Sequence, residues 1–172
     1  RFEHLPRIVD CRRVGDELDV VMEYVEGETL EALVGRLGAT PDYARGLYPV
    51  LCEAVGELHA GFAAAGEPGV PVIHRDLKPS NIIVSGVRCA ADAGMTFSSL
   101  VIIDLGIARV WRDGAVADTV KFGTRSYAPP EQVGFGQTSV RSDIYALGAL
   151  MFFCLTGTDP KPGRERREQC ET

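Results

Sequence analysis

No stretch of this sequence is long and uncharged enough to cross a bilayer. The most apolar run, Ile144 to Leu155, is twelve residues, where a helical span needs about 20. Positive charge is scarce too: 18 lysines and arginines face 24 acidic residues, net −6. The chain therefore lacks the global field that a nucleic-acid backbone would require of its partner. Cys11, Cys52, Cys89, Cys154 and Cys170 form an odd set without a C-x-x-C pair, and only three histidines stand ready to complete a metal centre. Disulfide frameworks and structural zinc sites are thus disfavoured, and reduced, buried thiols of a cytoplasmic protein are expected. The amino terminus, Arg1-Phe2-Glu3-His4, has neither an initiator methionine nor an apolar targeting region, and reads as part of something longer.

What is present is enough apolar material for a folded core: 45% of 172 residues are hydrophobic, and mean hydropathy is near zero, the balance of one globular domain. Leu18 to Val25 reads as a strand closed by Glu26-Gly27, with Tyr24 as cover for the core. Thr29 to Leu37 is a short amphipathic helix ending at Gly38, and Thr40-Pro41 supplies a cap and a first-turn proline for the next. In that helix Ala44, Leu47, Leu51, Ala54, Val55, Leu58 and Phe62 recur at intervals of three and four, predicting a helix to about Ala65, kinked or delayed by Pro49.

Strands follow at Ile82–Val84 and Leu100–Ile103. Ser85 to Ser99 between them reads as a long hairpin loop. Trp111 to Phe135 shows no helical period and reads as an extended functional loop. Ser142 to Leu155, apolar nearly all round, predicts a central helix. The tail, Asp159 to Thr172, has no apolar stripe and reads as loose.

The chemistry is concentrated in His74-Arg-Asp-Leu-Lys-Pro-Ser-Asn81 and Asp104-Leu-Gly106. Phosphoryl transfer needs an acceptor for the attacking hydroxyl, a cation to offset charge on the moving group, and oxygen ligands for Mg²⁺ on the nucleotide phosphates. An isolated aspartate is more often a turn or cap residue. Here the two clusters are followed, in order, by Gly123-Thr-Arg-Ser-Tyr-Ala-Pro-Pro-Glu131 and Ser142-Asp-Ile-Tyr-Ala-Leu-Gly148. This ordered series resembles the protein kinase superfamily from Leu18 to about Gly157. The Asp76-Leu-Lys78-Pro form resembles serine/threonine kinases, and the segment from Tyr127 onward resembles the bacterial, eukaryotic-like type.

The resemblance implies an α+β, protein-kinase-like fold, present in part. Residues 1–25 would be the last strands of the small lobe and the hinge, and 26–158 the large lobe up to its central helix. It implies that Asp76 is the catalytic base, that Lys78 steadies the transferring phosphate, and that Asn81 and Asp104 hold Mg²⁺, with Thr124 beside the substrate hydroxyl. Met22 would be the gatekeeper, the Glu23 and Val25 backbones would meet the adenine of ATP, and Glu26 and Glu28 would reach the ribose. His74 is expected to support the loop from within, and Asp143 to accept its backbone N–H groups. Arg75 would pair with a phosphorylated activation-loop residue, Thr119 ahead of Ser126.

The sequence also departs from the family. Leu105 replaces the usual phenylalanine, a change that conserves packing. No G-x-G-x-x-G or strand lysine precedes Met22, so the phosphate-covering loop is expected upstream of Arg1, and the helix supplying a partner for Glu131 is expected beyond the end, leaving that carboxylate unpaired. The expected function is Mg²⁺/ATP-dependent transfer to protein serine or threonine hydroxyls, without nucleic-acid or membrane contact and with a dimer allowed for autophosphorylation. The alternatives are a catalytically silent, pseudokinase-like binding module and, less favoured, a small-molecule phosphotransferase.

Overall fold

Alternating apolar residues and tight turns build the strands of this computed structural model, which describes residues 3–15, 17–61, 69–90, 94–110, 123–133 and 136–161. The first pair, β1 (Ile8–Val14) and β2 (Glu17–Met22), forms an antiparallel ribbon. The predicted strand ends at Met22, and Tyr24 in the extended segment beyond it is 89% exposed, so it covers no core. Ile8, Val9, Val14, Val20 and Val21 are exposed as well.

β3 (Glu28–Thr29) leads directly into α1 (Leu30–Leu37), whose first turn is capped by the Thr29 hydroxyl accepting from the Ala32 N–H at 3.1 Å. α2 runs from Pro41 to Ala60, continuing through Pro49, and buries Leu47, Leu51, Ala54, Val55 and Leu58. The predicted face is the buried one. The helix is shorter than expected: it stops at Gly61, whose N–H returns to the carbonyls of Glu57 and Leu58. Phe62 lies outside the described residues.

β4 (Val72–Ile73) pairs with β9 (Arg109–Val110), and β5 (Ile82–Ser85) lies between β3 and β8 (Ser99–Ile102) in a three-stranded antiparallel sheet. The segment read as a bare loop has structure of its own. β6 (Arg88–Ala90) and β7 (Gly94–Thr96) pair antiparallel, and the Met95 side chain packs against the core beside Gly46 of α2. Neither strand is long enough for period-two alternation to stand out in the sequence.

α3 (Pro130–Val133) is a single turn inside the region read as extended, and α4 (Val140–Thr156) is the predicted long helix. Ser139 and Ser142 cap α4 reciprocally: the Ser139 hydroxyl accepts from the Arg141 N–H at 3.3 Å, and the Ser139 N–H donates to the Ser142 hydroxyl at 3.0 Å. Ala146, Leu147, Ala149, Leu150, Phe153 and Cys154 are buried, and α4 packs on α2, while Ile144 and Leu155 are exposed. The helix is thus buried along one side rather than all round. Cys154 is the only buried cysteine among the described residues, and Cys11, Cys52 and Cys89 are exposed, against expectation. No described helix is long and apolar enough to cross a membrane.

Pro49 is an exposed residue inside a regular helix, where it removes a backbone donor and crowds the preceding turn. Pro49→Ala is therefore expected to stabilise the fold by about 1–3 kcal/mol, seen as a higher urea midpoint. An unchanged or lowered midpoint would mean that the helix has already relaxed around the ring.

Candidate active site

The loop after β4 is held from below. His74 is fully buried, and its N–H donates to Asp143 Oδ2 at 2.9 Å, while the Arg75 N–H donates to Oδ1 at 3.0 Å. Asp143 sits in the first turn of α4, 1% exposed, and takes a third bond from His59 Nε2 of α2 at 2.9 Å. The role expected of Asp143 is the one the geometry gives it.

His74 Nδ1 accepts the Asp76 N–H at 3.3 Å, so Nε2 carries the ring proton and donates to the Ile103 carbonyl at 3.2 Å. Burial pushes the His74 pKa down, against the opposing pull of Asp143 and other carboxylates, and the ring is held neutral.

Arg75 adopts a left-handed backbone, φ 72°, a conformation that persists where neighbours overdetermine it. Its N–H is taken by Asp143, and its carbonyl accepts from Gln132 Nε2 of α3 at 2.7 Å. Gln132 is 3% exposed and was not singled out by the sequence. Gly123 explains how it reaches: at φ +99°, an added Cβ would lie 2.3 Å from Gln132 Nε2 and 2.9 Å from the Arg75 carbonyl, so only glycine allows this approach.

Asp76 is then fixed on both oxygens. Oδ1 accepts the N–H and the hydroxyl of Thr124, each at 2.9 Å; Oδ2 accepts Lys78 Nζ at 2.7 Å and Asn81 Nδ2 at 3.2 Å. Burial alone would raise its pKa, but the hydrogen bonds from Lys78 and Thr124 outweigh it and hold the carboxyl below the usual carboxylate range. Asn81 Nδ2 also donates to the Asp76 carbonyl at 2.9 Å, and the Asn81 carbonyl accepts the Ile103 N–H at 2.9 Å. That last bond ties the loop to the strand end carrying Asp104.

Asp104 has a left-handed backbone, φ 66°, and its Oδ1 accepts the Gly106 N–H at 3.2 Å. It lines an open cleft of about 580 Å³ together with Pro6, Met22, Glu23, Val25 and Ile83. Leu105 packs against the core, as expected of an apolar substitute. The Glu23 N–H donates to the Arg7 carbonyl at 2.9 Å.

Other residues expected at the site carry bonds of their own. The Glu28 carboxylate is paired with Arg36 of α1, which the helix brings next to it, and is not among the residues lining the cleft. Glu26 uses its carbonyl to accept from the Ser85 hydroxyl, and its side chain is exposed. Glu131 is not left unpaired: Oε1 accepts the Ser142 hydroxyl at 2.8 Å, since the turn at α3 brings it to the start of α4. Thr119 lies outside the described residues. Asp159, in the tail read as loose, accepts from the Tyr127 hydroxyl at 2.6 Å.

The protein kinase domain model matches residues 1–172. This chain belongs to that family. The kinase domain is 35% identical over 160 residues to the serine/threonine-protein kinase PknL of Mycobacterium tuberculosis, covering 92% of this chain and 36% of that protein. It is 35% identical over 161 residues to the serine/threonine-protein kinase pkn2 of Myxococcus xanthus, covering 91% and 18%. Against the serine/threonine-protein kinase PknB of Mycobacterium tuberculosis the figures are 34% over 148 residues, 84% and 21%. The chain thus spans about a third or less of the length of these relatives.

Two outcomes follow for the kinase domain. Asp143→Asn replaces an acceptor of three bonds with a group that brings N–H donors of its own, and is expected to cost about 2–5 kcal/mol of stability, measured by urea unfolding; a cost near zero would remove Asp143 from this role. For His74 the folded pKa lies below the ordinary 6.5, so below that value the unfolded chain binds the extra proton. Its contribution is complete above about pH 6.5 and is lost as pH falls toward the folded value. Unfolding free energy should therefore fall more steeply between pH 7 and 5 than in His74→Gln, and equal slopes would sink the assignment.

Proposed function

We propose that this domain transfers the γ-phosphoryl group of ATP to serine or threonine hydroxyls of proteins. The observation carrying this reading is Asp76, a carboxylate held ionised and aimed by donors on both oxygens and tied through Asn81 to the strand end that carries Asp104. A carboxylate with a lowered pKa is a weak base but a good acceptor. It would orient the substrate hydroxyl and take its proton late, as the new O–P bond forms and the bond to the ADP oxygen breaks.

Lys78, already 2.7 Å from Asp76, would offset charge on the moving phosphoryl group. Thr124 would hold the carboxylate to the acceptor side. Adenine would enter the cleft at Met22, Glu23 and Val25, a mostly apolar wall with backbone polar groups. The side-chain oxygens of Asn81 and Asp104 suit Mg²⁺, which takes few protein ligands and shares the rest among water and nucleotide phosphates. When bound, that ion would neutralise charge on the phosphates. Serine/threonine specificity is supported by Lys78 and by the names of the bacterial relatives.

In this reading residues 1–25 are the end of a small lobe and the hinge, and 26–158 a large lobe. The open cleft lies where β1 and β2 meet the sheet of β3, β5 and β8. Arg75 and Arg109, brought close by the Ile73–Arg109 pairing of β4 and β9, would receive a phosphorylated Thr119 and couple activation to the loop. A cytoplasmic location and autophosphorylation between two copies complete the proposal.

Asp76→Asn should lower phosphate transfer from labelled ATP to casein by about 100- to 10,000-fold, with ATP binding retained. Equal rates in the two proteins would end the assignment. Nucleotide binding without transfer in the unmodified protein would instead mark a silent binding module.

A further inference from the structure

Tyr127 is 3% exposed and packs in the core, where a phenylalanine would fill the same space. Its hydroxyl is the part that needs a reason. Burial and the neighbouring Asp159 raise its pKa, so it stays a donor, and it gives its proton to Asp159 Oδ1 at 2.6 Å. The route by which Asp159 arrives is built into the end of α4. Gly157, φ +69°, closes the helix with its N–H on the Phe153 carbonyl at 2.7 Å. The chain turns there, and Pro160 is buried just beyond.

On its other side Tyr127 belongs to a tight turn. The N–H groups of Tyr127 and Ala128 both donate to the Thr124 carbonyl at 2.9 Å, and Thr124 gives its N–H and hydroxyl to Asp76 Oδ1. The bonds thus run without a gap from Asp159 through Tyr127 and Thr124 to Asp76. We infer that Asp159 is a positioning residue for phosphoryl transfer, which anchors the 124–128 turn through the Tyr127 hydroxyl and thereby sets the orientation of Asp76.

This inference rests on the phosphotransfer reading, and its test separates the two. In the protein carrying this chain, Tyr127→Phe and Asp159→Ala remove the bond while Tyr127→Phe keeps the ring. Asp159→Asn keeps an oxygen acceptor. Hydrogen exchange of the Thr124 amide is read by NMR, beside kcat for casein and KM for ATP. Loss of one hydrogen bond to a carboxylate should speed that exchange and lower kcat by about tenfold each, leave the ATP KM within about twofold, and be rescued by Asp159→Asn. Unchanged Thr124 exchange in Tyr127→Phe and Asp159→Ala overturns the inference. So does faster exchange with unchanged kcat in an active protein. If the unmodified protein transfers no phosphate, the kinase reading fails and Thr124 exchange alone decides whether the anchor exists.

Discussion

Moving a carboxylate from water into a protein interior costs several kcal/mol unless donors meet it, and Asp143 is met by three: two backbone N–H groups of the loop after β4 and a histidine of α2. The pairing works in both directions. The buried charge is tolerable because the loop lies over it, and the loop can leave regular strand geometry because the charge replaces the partners its amides would otherwise lack. α2, α4 and the loop are thereby fixed to one another around a single side chain. The left-handed turn at Arg75 follows, since residue 75 is held at its N–H by Asp143 and at its carbonyl by Gln132.

Once Arg75 is placed, the direction of Asp76 is set by what surrounds it rather than by its own rotamer. Two donors from one residue, Thr124, occupy one oxygen, and two from the loop itself, Lys78 and Asn81, occupy the other. A carboxylate gripped on both sides loses rotational freedom before any ligand arrives, so that cost does not fall on the reaction. The same bonds keep it ionised. Removing any one donor leaves three, which is why orientation at this site is a property of the network and not of a single contact.

Much of this was legible in the sequence, and for a physical reason: residues whose roles are local in the chain announce themselves by spacing. Asp76, Lys78 and Asn81 lie within six positions, so one loop must bring them together, and it does. The buried face of α2 was readable because a helix repeats its face every three to four residues. What failed was set by contacts between distant segments. Gln132 against Arg75, Ser142 against Glu131 and Tyr127 against Asp159 are separated by 57, 11 and 32 residues, and no periodicity links such pairs. Glu28, expected at the ribose, pairs with Arg36 eight residues on along α1, a partner that the reading of the sequence did not weigh. β6 and β7 were missed because three-residue strands are stabilised by packing on α2, not by their own pattern.

The site is asymmetric. Its floor is tied at two points: the His74 ring N–H donates to the Ile103 carbonyl and the Asn81 carbonyl accepts the Ile103 N–H, cross-linking the loop after β4 to the residue just past β8 and so to Asp104. Its roof is not. The ribbon of β1 and β2 shows exposed apolar side chains and touches the cleft only around Met22 and the segment after it. Among the described residues the Asp104 carboxylate accepts from Gly106 alone, where that of Asp76 answers to three residues. In the proposed reaction a fixed Asp76 would aim the attacking hydroxyl in advance, while a less constrained Asp104 would adjust as the nucleotide enters. On that reading rigidity is concentrated at Asp76, where a small displacement would cost rate, and relaxed at Asp104, where entry and release would require movement.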